Sequence, residues 1–364
     1  MTLAPSDKTW ILFQTIGSPI GTGTLVPNPD DIEQLTEYAF KSRVGLLFLD
    51  ECLRHEVELG PSARELHASL TTRREATDAV VVRLARKLDE VARGEWVLFK
   101  SIKPFAATPN DTDWFPLDPK RHAELVEYLQ RDGDFKLLEV APRQTTLIES
   151  GGEGVTDTTK KGGVYYIDCY VYPSTDYFIY LDPRRLRSHV RETTIDSYPI
   201  PILSPQAELA AIMFHNIFPE RTFTPESYYL VKGYLDRVEA EGSLADFVRV
   251  CREQRVEYAG AANLAFVRAV DRQQFGLVDD RVERLMRELG HGSLELPGFD
   301  PCGAYPHQVS NKIFWGAFLS KQRDPVSLRS SFTQLLHMLN PIFFADVVKI
   351  IWRRSVRGGV YEQN

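Results

Sequence analysis

The stretch Asn110-Asp111-Thr112-Asp113-Trp114-Phe115 places two carboxylates two residues apart at the start of a predicted strand. Side chains alternate along a strand, so Asp111 and Asp113 share one face. Two like charges held that close repel each other unless a cation sits between them, and a hard divalent ion such as Mg²⁺ binds carboxylate oxygens in an open octahedral site. An Asp-x-Asp in a turn also serves as a solvated cap, so the motif has to be read with its neighbours. Upstream, residues 95–101 read as a buried strand reached by a short connection. A third acid, Asp168, lies within the predicted strand 165–172, where a carboxylate among apolar residues is costly unless paired or metal-bound. Alternation puts Asp168 on the face opposite Ile167, Cys169 and Val171, placed to join the first two acids across adjacent strands.

Outward from this centre the texture is mixed. Strands are predicted at 96–99, 112–117, 135–141, 145–149 and 165–172, each short, apolar or alternating and bounded by Pro, Gly or Asp. One helix interrupts them over 119–131, capped by Asp118, with Leu125, Val126 and Leu129 facing inward. Residues 149–163 hold five Gly and read as a loop; Lys160 and Lys161 beside it are either solvated or placed to close over phosphate. Before the strands, an irregular Gly- and Pro-rich opening precedes a helix over 29–42, an apolar stretch over 44–53 and a helix over 62–92 closed by Arg93-Gly94. From Ser204 onward the spacing is helical over 204–218, 224–240, 244–253, 258–270, 280–289 and 328–352. The reading is an α/β (α+β) chain. It has a helical region over 1–92, a small mixed sheet with helices over 93–200 and a helical domain over 201–364, with 199–201 as the linker.

The 43 Lys+Arg and 50 Asp+Glu give a net charge of −7, which excludes a uniformly basic nucleic-acid coat and leaves a local basic groove open. Basic runs at 184–187 and 353–357 are either phosphate-backbone contacts or surface solvation. The four cysteines, Cys52, Cys169, Cys251 and Cys302, form no CxxC pair and read as reduced, mostly buried thiols. Gly21-Thr-Gly23 lacks the third Gly and the following helix of a dinucleotide site. Without an apolar signal region or a run long enough to span a bilayer, the expectation is a cytoplasmic protein with no membrane partner.

The run Phe99-Lys-Ser-Ile-Lys-Pro-Phe105, then Pro109-Asn-Asp-Thr-Asp113, then Tyr166-Ile-Asp168 resembles the DNA polymerase β-like nucleotidyltransferase superfamily, and most of all its archaeal-type members. The similarity runs from about residue 84 to 235 and continues through Ile202-Leu-Ser-Pro-Gln-Ala-Glu208 into the helix bearing His215. It implies a nucleotidyltransferase fold and transfer of a nucleoside monophosphate from ATP or another NTP to a hydroxyl acceptor, on a small molecule, a protein or an RNA end. Asp111, Asp113 and Asp168 would be the catalytic acids and would hold Mg²⁺ or Mn²⁺, with Asp168 helping to deprotonate the acceptor. Lys100, Ser101 and Lys103 are the candidates for the triphosphate, and Tyr228 and Lys232, with Tyr229 and Tyr234, for a nucleobase-reading wall.

The chain departs from the family pattern in two places. Lys100-Ser101 stands where relatives have Gly-Ser. Trp114 and Pro116 follow the second acid, which predicts a strand that is short or at a sheet edge. The missing Gly supports an alternative, a nucleotide-binding or regulatory module that keeps the fold without turnover. His215, in a helix apolar on most sides, reads as a hydrogen-bonded core histidine.

Overall fold

The computed structural model describes residues 2–109, 111–150, 166–341, 343–345 and 349. Lys160, Lys161 and the basic run 353–357 lie outside the described residues.

Seven strands form one mixed sheet: β1 (Trp96–Phe99), β2 (Asp111–Pro116), β3 (Phe135–Ala141), β4 (Gln144–Glu149), β5 (Tyr166–Tyr170), β6 (Val190–Ile195) and β7 (Tyr198–Leu203). Their spatial order is β3-β4-β5-β2-β1-β7-β6. The pairs β2–β5 and β1–β7 are parallel and the other four antiparallel. β2 is therefore central, and Pro116 is tolerated because it is the strand's last residue, opposite Trp96; the expected edge position is corrected.

The expected linker at 199–201 is also corrected, because Pro199 and Pro201 lie inside β7. Strand amides alternate sides, so prolines two apart put both missing N–H groups on one edge of the strand. The boundary drawn at residue 200 thus falls within a strand of the sheet.

Alternation sorts the sheet's side chains into two layers. Trp96 and Leu98 of β1, Trp114 of β2 and Ile167 and Cys169 of β5 face α4 (Pro61–Ala92) and α5 (His122–Gln130), and form one core with Leu84, Leu88, Leu125 and Leu129. The opposite face carries Val97, Phe99, Phe115 and Tyr170 and joins a larger core built from the remaining helices. Asp111, Asp113 and Asp168 share this second face by register.

Three helices precede α4: α1 (Pro5–Ile16), α2 (Ile32–Lys41) and α3 (Gly45–Arg54). α1 stands where the sequence reads as irregular. Its Thr9 hydroxyl donates to the Gly303 carbonyl (2.8 Å), its Gln14 amide donates to the Gln274 carbonyl (2.5 Å), and Phe13 packs against Tyr228, Tyr229, Phe275 and Tyr305.

After the sheet come α6 (Pro205–His215), α7 (Pro225–Ala240), α8 (Leu244–Gln254), α9 (Glu257–Phe275), α10 (Asp280–Glu288), α11 (Asn311–Lys321) and α12 (Pro325–His337). α6 runs directly into a π-helical turn, Asn216–Glu220, that contains Pro219. α7 begins with a reciprocal cap in which the Thr224 and Ser227 hydroxyls satisfy each other's backbone amides. Among the described residues no helix is long and apolar enough to cross a membrane.

Candidate functional site at the sheet face

β1 ends at Phe99, and the chain turns at Lys100 with φ of 62°, a left-handed conformation that costs a non-glycine residue about 1–2 kcal/mol. A charge-capable partner holds the turn in place: the Lys100 N–H donates to Glu208 Oε1 on α6 at 2.5 Å. Ser101 is buried, its Oγ accepting from the Asp113 N–H (3.0 Å) and lying 3.2 Å from the Phe99 carbonyl oxygen. The expected phosphate contact from Ser101 is therefore corrected. Its hydroxyl ties the turn to β2 and is consumed by the backbone.

Asp113 and Asp168 are register partners on the parallel strands β2 and β5, and Asp111 precedes Asp113 by one alternation. Asp113 is 3% exposed. Its Oδ2 receives the Lys100 ammonium at 3.2 Å, while its Oδ1 is buried with no hydrogen-bond partner among the described residues. Asp168 Oδ1 accepts from the Thr146 hydroxyl of β4 at 2.7 Å.

Burial and the charges of Asp111 and Asp168 push Asp113 above the ordinary carboxylate range, while the Lys100 ammonium beside it pulls it back down. Asp168 is raised as well, first by burial and then by Asp111, against its bonds to Thr146 and Gln144. Burial opposes the Lys100 charge, but Asp113, Tyr180 and Asp111 outweigh it and hold the ammonium above the ordinary lysine range. Among the described residues the cluster thus has one resident cation for three acids.

Asp111 and Asp113 border a cleft of about 170 Å³. Lys100, Lys103, Asp111 and Asp113 line its sheet side; Ile212 and His215 of α6, Asn216 and Glu220 of the π turn, and Glu226 and Leu230 of α7 line the wall opposite. A third wall comes from the N-terminal helices, with Phe40, Arg43, Leu46, Leu70 and Arg73. Asp168 is not among the lining residues. Lys103 is ion-paired with Glu226, which also approaches Arg43 at 3.7 Å.

His215 faces the cleft instead of sitting wholly in the core. Its Nε2 is 3.4 Å from Lys100 Nζ and 3.3 Å from Glu220 Oε1, and its Nδ1 is 3.2 Å from the Tyr180 hydroxyl. Burial, followed by the Lys100 charge, pushes it down to about 4, so it is neutral at pH 7. Burial pushes Glu220 up, but the His215 hydrogen bond and the Arg43 charge hold it below the carboxylate range. The π turn brings Glu220 back onto His215 five residues earlier, a spacing that ordinary helical periodicity does not bring together.

The nucleobase wall predicted from Tyr228 and Lys232 is corrected. Tyr228 is fully buried, its hydroxyl donating to Asp271 Oδ1 (2.5 Å) and lying within hydrogen-bond distance of Ser18 Oγ (2.7 Å). Lys232 Nζ donates to Asp271 (3.2 Å) and Asp279 (2.7 Å). Tyr229 is in the core, and the Tyr234 hydroxyl donates to the Ile102 carbonyl at 2.7 Å. None of the four lines the cleft.

Divalent metal fits the donor chemistry: three hard carboxylates share a face, and Asp113 Oδ1 is an orphaned buried acceptor. The side chains are not gathered as a ligand cage, and among the described residues no group of three or more His, Cys, Asp or Glu is arranged to hold a metal ion. Compared with known proteins, the chain matches no family model, and no curated sequence is similar to it.

Proposed function

We propose that this chain is a metal-dependent nucleotidyltransferase that moves a nucleoside monophosphate from an NTP to a hydroxyl acceptor. The observation that carries the proposal is the placement of Asp111, Asp113 and Asp168 on one face of the parallel pair β2–β5, beside a cleft lined by Arg43, Arg73, Lys100 and Lys103. Asp111, Asp113 and Asp168 would hold Mg²⁺ or Mn²⁺. Bound there, the ion neutralises triphosphate charge and makes the acceptor hydroxyl more acidic.

The chain's own groups supply the remaining requirements. Lysine and arginine side chains on the sheet turn and the N-terminal helices attract and orient the phosphates. Neutral His215 offers a ring nitrogen to a hydroxyl without adding charge to the cleft. The α6–α7 wall and the N-terminal helices close around the reacting groups and limit water.

The test is incubation of the full chain with each labelled NTP, Mg²⁺ or Mn²⁺ and a cell extract, reading label transfer and pyrophosphate release. Asp113→Asn and Asp168→Asn are expected to lower transfer at least about 100-fold with an unchanged circular dichroism spectrum, a loss of ~2.7 kcal/mol or more in transition-state stabilisation. Absence of transfer by the wild type, or undiminished transfer by Asp113→Asn, overturns the proposal.

One observation favours a second reading: the Lys100 ammonium already neutralises Asp113, as in a binding module that takes nucleotide without turnover. That reading expects NTP binding with no metal requirement and no pyrophosphate.

A further inference from the structure

We propose that the Lys100 ammonium is the resident cation of the acid cluster, competing with divalent metal for Asp113 and yielding it when a polyphosphate enters the cleft. The inference rests on the nucleotidyltransferase reading for the identity of the polyphosphate, but not for the competition itself.

Lys100 is held in this role at every point along its length. Its backbone is locked in the left-handed turn by Glu208, and its ammonium lies 4.7 Å from the Phe99 ring centre and 5.8 Å from that of Tyr170. It ends 3.2 Å from Asp113 Oδ2. On its other side, the His215 Nε2 at 3.4 Å belongs to a neutral ring that attracts it only weakly.

Among the described residues one positive charge leaves the three acids under-neutralised, and the bare Asp113 Oδ1 is the atomic sign of that deficit. A divalent ion would meet the deficit better, but it must share Asp113 with a cation that is tethered and so has no translational entropy to lose. A phosphate chain in the cleft changes the balance, because it offers Lys100 an alternative anion within the lining that also contains Lys103, Arg43 and Arg73. Metal and polyphosphate therefore bind with positive coupling, and the free protein holds metal weakly.

Mn²⁺ binding to the full chain, measured by titration calorimetry or by the paramagnetic resonance of free Mn²⁺, tests this without any reaction. Lys100→Gly suits the left-handed backbone and removes the ammonium; Lys100→Met removes the charge while keeping the bulk. Both are expected to bind Mn²⁺ at least tenfold more tightly than the wild type in the absence of nucleotide. Adding Asp113→Asn to Lys100→Gly is expected to abolish the gain, and Lys103→Ala, which removes a cation paired with Glu226 instead, to stay within threefold of the wild type. Inorganic tripolyphosphate is expected to raise Mn²⁺ affinity in the wild type beyond the increment that the two ligands show in buffer alone.

Equal affinity in the wild type and both Lys100 variants, no Mn²⁺ binding by any of them, or an equal gain in Lys103→Ala would overturn the inference. A tenfold gain in a protein that transfers no label leaves it standing and removes the enzyme reading. Label transfer with unchanged Mn²⁺ affinities does the reverse.

Discussion

Glu208→Gln probes the latch that holds the Lys100 turn. Glu208 is buried on α6, with Oε1 accepting from the Lys100 N–H and Oε2 buried without a partner. Burial pushes its carboxyl up to about 8 from an ordinary 4.5, even though the Lys100 amide and ammonium pull the other way. The folded state therefore binds this proton more tightly than the unfolded state. Below pH 4.5 both states are protonated and Glu208 costs nothing. As pH rises the unfolded chain ionises first, and stability falls by about 1.4 kcal/mol per pH unit until the folded carboxyl itself titrates near 8. By pH 7 the accumulated cost is about 3 kcal/mol.

Glutamine keeps the carbonyl for the Lys100 amide and cannot ionise, but it leaves amide hydrogens where Oε2 has no partner, at a pH-independent cost of about 1–3 kcal/mol. Relative to the wild type, the variant is thus expected to be equal or less stable at pH 4.5. It should gain by about 3 kcal/mol between pH 4.5 and 7, and level off above pH 8. Urea midpoints at constant m across this range measure it. A stability difference that is flat with pH refutes the argument that a buried, ionisable Glu208 holds the turn.

Two further outcomes separate core residues from cleft residues. Tyr228→Phe removes the hydroxyl bonded to Asp271 and Ser18, and should lower stability by about 1–3 kcal/mol while leaving NTP affinity unchanged; weakened NTP binding in a protein of wild-type stability would restore Tyr228 to the nucleotide wall. Arg73→Ala removes a cleft-lining guanidinium and should weaken tripolyphosphate binding, read by calorimetry, by about 1.5–3 kcal/mol, tenfold or more; unchanged affinity would place the polyphosphate elsewhere.

The shared sheet face of the three acids was legible because its determinants are local. Period-2 alternation fixes which face Asp111 and Asp113 share, and the apolar neighbours of Asp168 mark the strand that pairs with theirs. The expectation of a nucleobase wall at Tyr228 was wrong: α7 buries Tyr228, Tyr229, Leu230 and Val231 in succession, the mark of a helix enclosed on every side. What the sequence concealed depends on distant partners. Lys100 tolerates a left-handed turn because of Glu208, 108 positions later, and Lys232 is tied up by Asp271 and Asp279. His215 and Glu220 meet only because a π turn separates them by five residues, outside the three- and four-residue spacing used to read helices. The N-terminal wall was missed because nothing in Arg43 or Arg73 distinguishes a cleft cation from a solvated one.

The anchoring of α1 has a consequence for how the chain comes to be folded. Thr9 meets the Tyr38 hydroxyl of α2 at 2.6 Å, close by in sequence, but the hydrogen bonds to Gln274 and Gly303 can form only once those distant residues are in place. Until then the side of Phe13 that packs against Tyr228, Tyr229, Phe275 and Tyr305 remains uncovered. The loop closed by that docking spans nearly three hundred residues, and such long-range closure slows folding and prolongs exposure of apolar surface. α1 and residues 274–305 thus act as one folding unit despite their separation, and a chain cut between them is expected to leave the Phe13 side of α1 open.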